Sequence, residues 1–237
     1  MPFHRHDPDP ISWDKYDDLD NVVKHVKKRF HMANLYLAGT SMGANHIKKY
    51  VGLKGQKGES LPIKALGCLA SPFCLNFASK RFNEKGGIVK KALIKSLLNV
   101  FREQLSCERF VKAMKKRNID PQVILASKSS DDYTRELDLK FRDYESLEHY
   151  KEAISSIGYI QHIHIPTLSI NSHSDMLAPT DAIPYREIDS NDRFIQIITN
   201  GGGHVEYFSG VNFRRWSYDV ILTHYSNIEK LSSRAMD

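Results

Sequence analysis

Residues 34–51 read NLYLAGTSMGANHIKKYV, and the change of pattern inside this stretch sets the fold class. Residues 34–38 form a short apolar run, long enough for a buried strand and too short for a helix, whereas residues 44–51 take a helical pattern. Between them Gly39-Thr40-Ser41-Met42-Gly43 is a G-x-S-x-G, which places a serine on a sharp strand-to-helix turn. Such a turn strains the backbone at the serine, so the residues two before and two after it are expected to be glycine or very small. The Met42 N–H, at the positive end of the following helix, would then face the same oxygen that Ser41 approaches.

Three further apolar runs lie downstream, at residues 63–70 (IKALGCLA), 164–171 (HIPTLSIN) and 194–199 (FIQIIT). Helical patterns separate them: residues 13–30 before the first strand, residues 86–116 and 146–156 within the chain, and residues 212–231 at its end. Nearly all-apolar strands alternating with helices predict an α/β fold with a mostly parallel sheet covered on both faces. The chain has 237 residues, 41% apolar and 26% charged, the composition of a single globular domain. Its three cysteines, Cys68, Cys74 and Cys107, are odd in number and unevenly spaced, which argues against a disulfide scaffold or zinc ribbon and for a reducing compartment. Cys68 reads as a small core residue, and Trp13 and Trp216 as packing groups on helix faces. No apolar run reaches the roughly 18 residues of a membrane span, and the amino terminus, an irregular arm over residues 1–12, has no signal-peptide pattern.

Ligand chemistry in a parallel sheet belongs at the carboxyl ends of the strands. Asp175 follows the third run, where a loop acid can orient and stabilise an imidazole. His204 follows the fourth, behind the glycines at 201–203 that free a loop to aim it. The chain order Ser41, Asp175, His204 is the serine, acid, histidine order of α/β-hydrolases. The glycine run lacks the lysine and hydroxyl of a P-loop and the third spaced glycine of a dinucleotide site, so neither nucleotide nor other cofactor is expected. A metal reading rests on His162, His164, His173 and Asp175, with His4, His6 and Asp7 as weaker candidates. No metal is expected at the site.

The net charge of +6 is concentrated, because residues 86–117 hold nine Lys or Arg against Glu103 and Glu108. One basic helical face suggests peripheral contact with an anionic membrane surface, or a solvated face. The chain shows none of the basic-aromatic interleaving of a nucleic-acid binder, and no nucleic-acid partner is expected.

The sequence resembles the α/β-hydrolase superfamily and, within it, the AB hydrolase 4 family of esterases, medium-chain ester synthases and phospholipases. The resemblance rests on LYLAGTSMGANHIKKYVG around Ser41, SPFCLNFASKRF after the second strand, YKEAISSIGYIQHIHIPTLSINSHSDMLAP around Asp175 and TNGGGHVEYF around His204. It implies an α/β-hydrolase fold in which Ser41 is the nucleophile, Asp175 the acid and His204 the general base, acting on medium-chain acyl esters, acylglycerols or phospholipids. It also implies one domain over residues 1–237 with a helical cap at about 80–120, in which Val89, Leu93, Leu97 and Phe101 would meet an acyl chain while Lys90, Lys91, Lys95, Arg102 and Lys112 face solvent or headgroups. A cytoplasmic or peripheral-membrane location follows. Measured against that fold, only 33 residues precede Asn34 and none is glycine. An amino-terminally shortened hydrolase, without the strands and the second oxyanion donor that come first in the family, is therefore expected. Loss of one such donor costs roughly 100 to 1,000-fold in rate, so the alternative reading is a catalytically impaired, hydrolase-like interaction module.

Overall fold

The computed structural model describes residues 13–142, 144–205 and 207–234. In chain order its elements are α1 (Asp17–Arg29), β1 (Leu35–Thr40), α2 (Met42–Gln56), β2 (Ile63–Leu69), α3 (Leu75–Lys85), α4 (Gly87–Gln104) and α5 (Glu108–Lys116). There follow α6 (Pro121–Leu125), α7 (Ser130–Tyr133), a π-helical turn (Thr134–Asp138), α8 (Leu139–Phe141), α9 (Leu147–Ile154) and β3 (Thr167–Ser172). The chain ends in α10 (Tyr185–Asp189), β4 (Phe194–Thr199), β5 (Phe208–Ser209), β6 (Arg214–Arg215) and α11 (Trp216–Arg234). These residues form two compact units: one is Lys15–Ala78 with 154–234, the other Ser79–Ala153 with Trp13 and Asp14. The arm expected over residues 1–12, with His4, His6 and Asp7, lies outside the described residues.

The first unit holds a parallel sheet in the order β1-β2-β3-β4. Only the two central runs are covered on both sides, as expected of apolar strands in a parallel sheet; no residue of β1 is buried, and β4 buries Phe194 alone. All six residues of β3 are buried, and in β2 only Lys64 is exposed. The third run starts its strand at Thr167 rather than His164, because Pro166 has no N–H to give; its carbonyl still accepts from Leu66 N at 2.9 Å. Alternation along β2 divides the core: Leu66 and Cys68 pack with Val23, Ile47, Tyr50 and Phe73, while Leu69 packs with Leu168, Ile170 and Ile221. Register keeps the carboxyl ends level, with Thr40 opposite Leu69 and Ser172 opposite Thr199.

Two helices depart from their sequence pattern. Helix α1 buries Val23, whereas Val22 and Phe30, apolar residues of the same helical run, are exposed. The last helix begins at Trp216 rather than 212, because residues 208–215 fold into a short antiparallel hairpin.

Unit Ser79–Ala153 contains the segment expected as a cap insertion and extends past residue 120. Its core gathers Phe101, Phe110, Met114, Ile124, Tyr133 and Leu137. Phe101 is fully buried, with its ring 6.1 Å from Phe110 and 6.2 Å from Tyr133. Of the four residues that the resemblance assigned to an acyl chain, Phe101 and Leu97 instead pack against α5 and the helices at 121–141, while Val89 and Leu93 are half-buried outside that core. Lys91, Lys95, Arg102 and Lys112 are exposed, and Lys90 is half-buried. Asp131 organises a second feature of this unit, accepting from Ser79, Asn83 and Lys151 at 2.9 Å each.

Helix α2 carries one costly residue. Lys48 is fully buried, its ammonium lies 3.0 Å from the centre of the Phe73 ring, and its Nζ has no hydrogen-bond partner among the described residues. Burial pushes its pKa down to about 7. Between about pH 7 and the ordinary lysine value of 10.5 the unfolded chain holds a proton that the folded chain has released. Stability should therefore rise with pH across that window, by up to several kcal/mol. Lys48→Met should remove the rise and stabilise the protein below pH 7, which urea unfolding at a series of pH values would measure.

Candidate active site

Strand β1 ends at Thr40 and α2 begins at Met42, so Ser41 alone turns the chain, with φ 55° and ψ −126°. This is a region that non-glycine residues occupy only under strain. The turn is held on both sides: Ser41 N–H donates to Leu69 O on β2 at 2.8 Å, and Ser41 O accepts from Asn45 N–H at 3.1 Å. Gly39 is needed because a Cβ there would lie 2.7 Å from Ala44 N and 2.8 Å from Gly43 C. Gly43 is different, since a Cβ built on it would meet nothing within 4 Å. The turn therefore requires glycine on the strand side only, where α2 crosses back over β1.

The three strand-end residues singled out by sequence meet inside the first unit. His204 Nε2 lies 2.6 Å from Ser41 Oγ, and His204 Nδ1 lies 2.9 and 3.0 Å from the two oxygens of Asp175. The Asp175 carboxyl is wholly buried, and its Oδ1 also accepts from Leu177 N–H at 2.8 Å and Ala178 N–H at 3.0 Å. Those donors replace the water a buried carboxylate loses. Met42 is the first residue of α2, where N–H groups have no acceptor within the helix. The arrangement can therefore take a proton from a serine hydroxyl and stabilise the resulting imidazolium.

Several supporting residues escaped the sequence reading. Ser174 Oγ donates to Gly202 O at 3.1 Å and ties the acid loop to the histidine loop. Asn45 donates to Ile154 O at 2.8 Å and accepts from Ser156 N–H at 3.0 Å. Asn171 donates to Ser71 O at 3.1 Å and accepts from Gln196 Nε2 at 3.3 Å. A polar residue inside an apolar run was the one available signal, since a buried amide must find partners. Burial, with Asp175 nearby, pushes the Tyr207 phenol well above its ordinary value.

Among the described residues, those of the metal reading do not form a metal site. His173 Nδ1 lies 3.2 Å from Thr180 Oγ1, His162 lies beside Gln161, and His164 lines a polar depression with Gln161 and Arg193. Among the described residues no group of three His, Cys, Asp or Glu could hold a metal ion.

Comparison with solved structures agrees with this fold. A meta-cleavage product hydrolase, CumD, superposes with a TM-score of 0.51 at 13% identity, over 94% of this chain and 75% of that one. The chain has an α/β-hydrolase fold. By sequence it is related to abhydrolase-domain proteins. Phospholipase ABHD3 of Bos taurus is 26% identical over 85% of this chain and 47% of its own length. Medium-chain fatty acid ethyl ester synthase/esterase 2 of Saccharomyces cerevisiae is 25% identical over 90% of this chain and 50% of its own. The chain thus spans about half the length of the curated relatives it matches. No protein-family model matches it.

The unequal glycines give a direct test. Gly39→Ala should cost about 1–3 kcal/mol through overpacking. Gly43→Ala should be neutral or stabilising by up to about 1 kcal/mol, because it lies in a helix with open space. Urea midpoints of the two variants would separate the cases.

Proposed function

We propose that this chain carries the nucleophile, acid and base of a serine hydrolase of carboxylic esters. The observation that carries the reading is the unbroken hydrogen-bonded line from Ser41 through His204 to the buried Asp175, starting at a serine held in a strained strand-to-helix turn. His204 Nε2 takes the Ser41 proton as Oγ attacks the ester carbonyl, and Asp175 holds the tautomer with Nδ1 protonated. Met42 N–H and the α2 dipole stabilise the oxyanion. The imidazolium then protonates the departing alkoxide; His204 next takes a proton from water, which attacks the acyl carbonyl, and returns it to Ser41 Oγ as the carboxylic acid leaves. No cofactor is called for.

The substrates we infer are medium-chain acyl esters, acylglycerols or phospholipids. The names of the relatives support this class. Unit Ser79–Ala153, inserted in sequence between β2 and β3, is the segment we assign as cap, although Phe101 serves its own core. No helix among the described residues is long and apolar enough to cross a membrane. Peripheral contact with an anionic surface through residues 86–117 is part of the proposal, supported by the exposed Lys91, Lys95, Arg102 and Lys112.

A fluorophosphonate probe should label the purified chain and leave Ser41→Ala unlabelled, with circular dichroism showing both folded. Hydrolysis of p-nitrophenyl esters should fall on the order of 10⁴-fold in Asp175→Asn, by analogy with the serine-protease acid. A folded, unlabelled wild type would overturn the hydrolase reading in favour of an interaction module.

A further inference from the structure

The hairpin that replaces the expected start of the last helix exposes bulky apolar side chains in its turn, beside the usual turn residues Gly210 and Asn212. Phe208 and Ser209 pair with Arg215 and Arg214, and the connection is Gly210-Val211-Asn212-Phe213. Turns are ordinarily polar or glycine-rich. Here Val211 is 92% exposed and Phe213 74% exposed, with Phe208 also exposed. Phe213 moreover has φ 49°, a left-handed conformation that costs a bulky residue energy. The aromatic residues touch each other edge-on, ring centres 6.2 Å apart, but remain in solvent. At the root, the Arg215 guanidinium lies 5.6 Å from the centre of the Phe208 ring, and Arg214 pairs with Asp219 at 2.7 Å.

We propose that this hairpin is a lipid-docking wedge, in which Val211 and Phe213 enter the boundary between headgroups and acyl chains of an anionic phospholipid surface while Arg215 stays at headgroup level. A protein partner fits poorly, because a stable interface engages some 20–30 residues a side and the apolar tip is three side chains. A fluid interface accepts so small a wedge, and aromatic residues flanked by arginine suit it because one part stays wet while the other is buried. The wedge is complementary in charge as well, through Arg215 at its root. It is also rigidly rooted. Tyr207, buried, packs under Gly202 and edge-on to Trp216 at 5.8 Å. Only three residues separate Phe208 from His204, so the Cα of Phe208 lies within about 14 Å of the Cα of His204. Docking would bring lipid to the edge that carries Ser41.

The inference stands apart from the chemistry of Ser41, so it is tested in a Ser41→Ala background, where no turnover intervenes. Flotation with phosphatidylcholine vesicles, with and without phosphatidylserine, gives the partition coefficient. Val211→Ser and Phe213→Asn should each lower it about tenfold, the worth of one apolar side chain removed from water. Phe213→Asn also relieves the left-handed strain, so a loss of binding cannot be charged to unfolding, and circular dichroism checks this. Arg215→Gln should weaken binding only when phosphatidylserine is present. Binding through the basic helices is screened at high salt, whereas the wedge contribution persists. The proposal is overturned if the Ser41→Ala parent fails to float, or if the double variant Val211→Ser with Phe213→Asn floats as well as that parent at high salt. It is also overturned if sedimentation shows a dimer that the double variant abolishes, because a second copy would then cover the tip.

Discussion

The hydrogen bond from Ser41 N–H to Leu69 O spans adjacent strand ends and holds a serine in a backbone conformation that costs roughly 1–3 kcal/mol. Such strain persists only where the surroundings over-determine it. Here the sheet register brings Leu69 level with Thr40, Gly39 lets α2 pass over β1, and Asn45 N–H fixes the first helical turn through Ser41 O. The hydroxyl is thereby placed at the sheet edge, where His204 reaches it. A relaxed turn would leave the same three side chains in the chain without bringing them together.

The parts legible in sequence were those written in short-range pattern. The passage from five apolar residues to a helical period marked β1 and α2. The glycine-rich and acidic strand ends marked where Asp175 and His204 lie. What stayed hidden depended on residues far apart. Asn45 finds Ile154 and Ser156, more than a hundred residues on, and Asn171 reaches back to Ser71. Nothing local announces such pairs except a polar residue in an apolar run. The stripe through Phe101 misled for a related reason. Periodicity shows that a face is buried but not which partner buries it, and α5 to α8 supply that partner. The hairpin was missed because its four paired residues are too few for an alternation signal, and its arginines resemble the start of a helix.

Buried polarity costs stability wherever it goes unpaired, and the first unit distributes it unevenly. The amides of Asn45 and Asn171 are paired and lock loops to the sheet. Lys48 has an aromatic face and no hydrogen-bond partner among the described residues. Its long stem fills space between α2 and Phe73, so its packing partly offsets the cost of its amine. The helix that carries Met42 and its N–H therefore contains both a clamp and a weak point within one turn.

All the elements that fix the site belong to one unit. Asp175 is held by N–H groups of its own loop, the acid and histidine loops are joined by Ser174, and Ser41 is held by β2. None of these contacts draws on Ser79–Ala153, which has its own aromatic core and its own ion pair at Asp131. The geometry of proton transfer and the composition of the inserted helices are thus set by separate sets of residues. A change in α4 or α5 would act on the core of that unit without removing any of the contacts that hold Ser41 2.6 Å from His204.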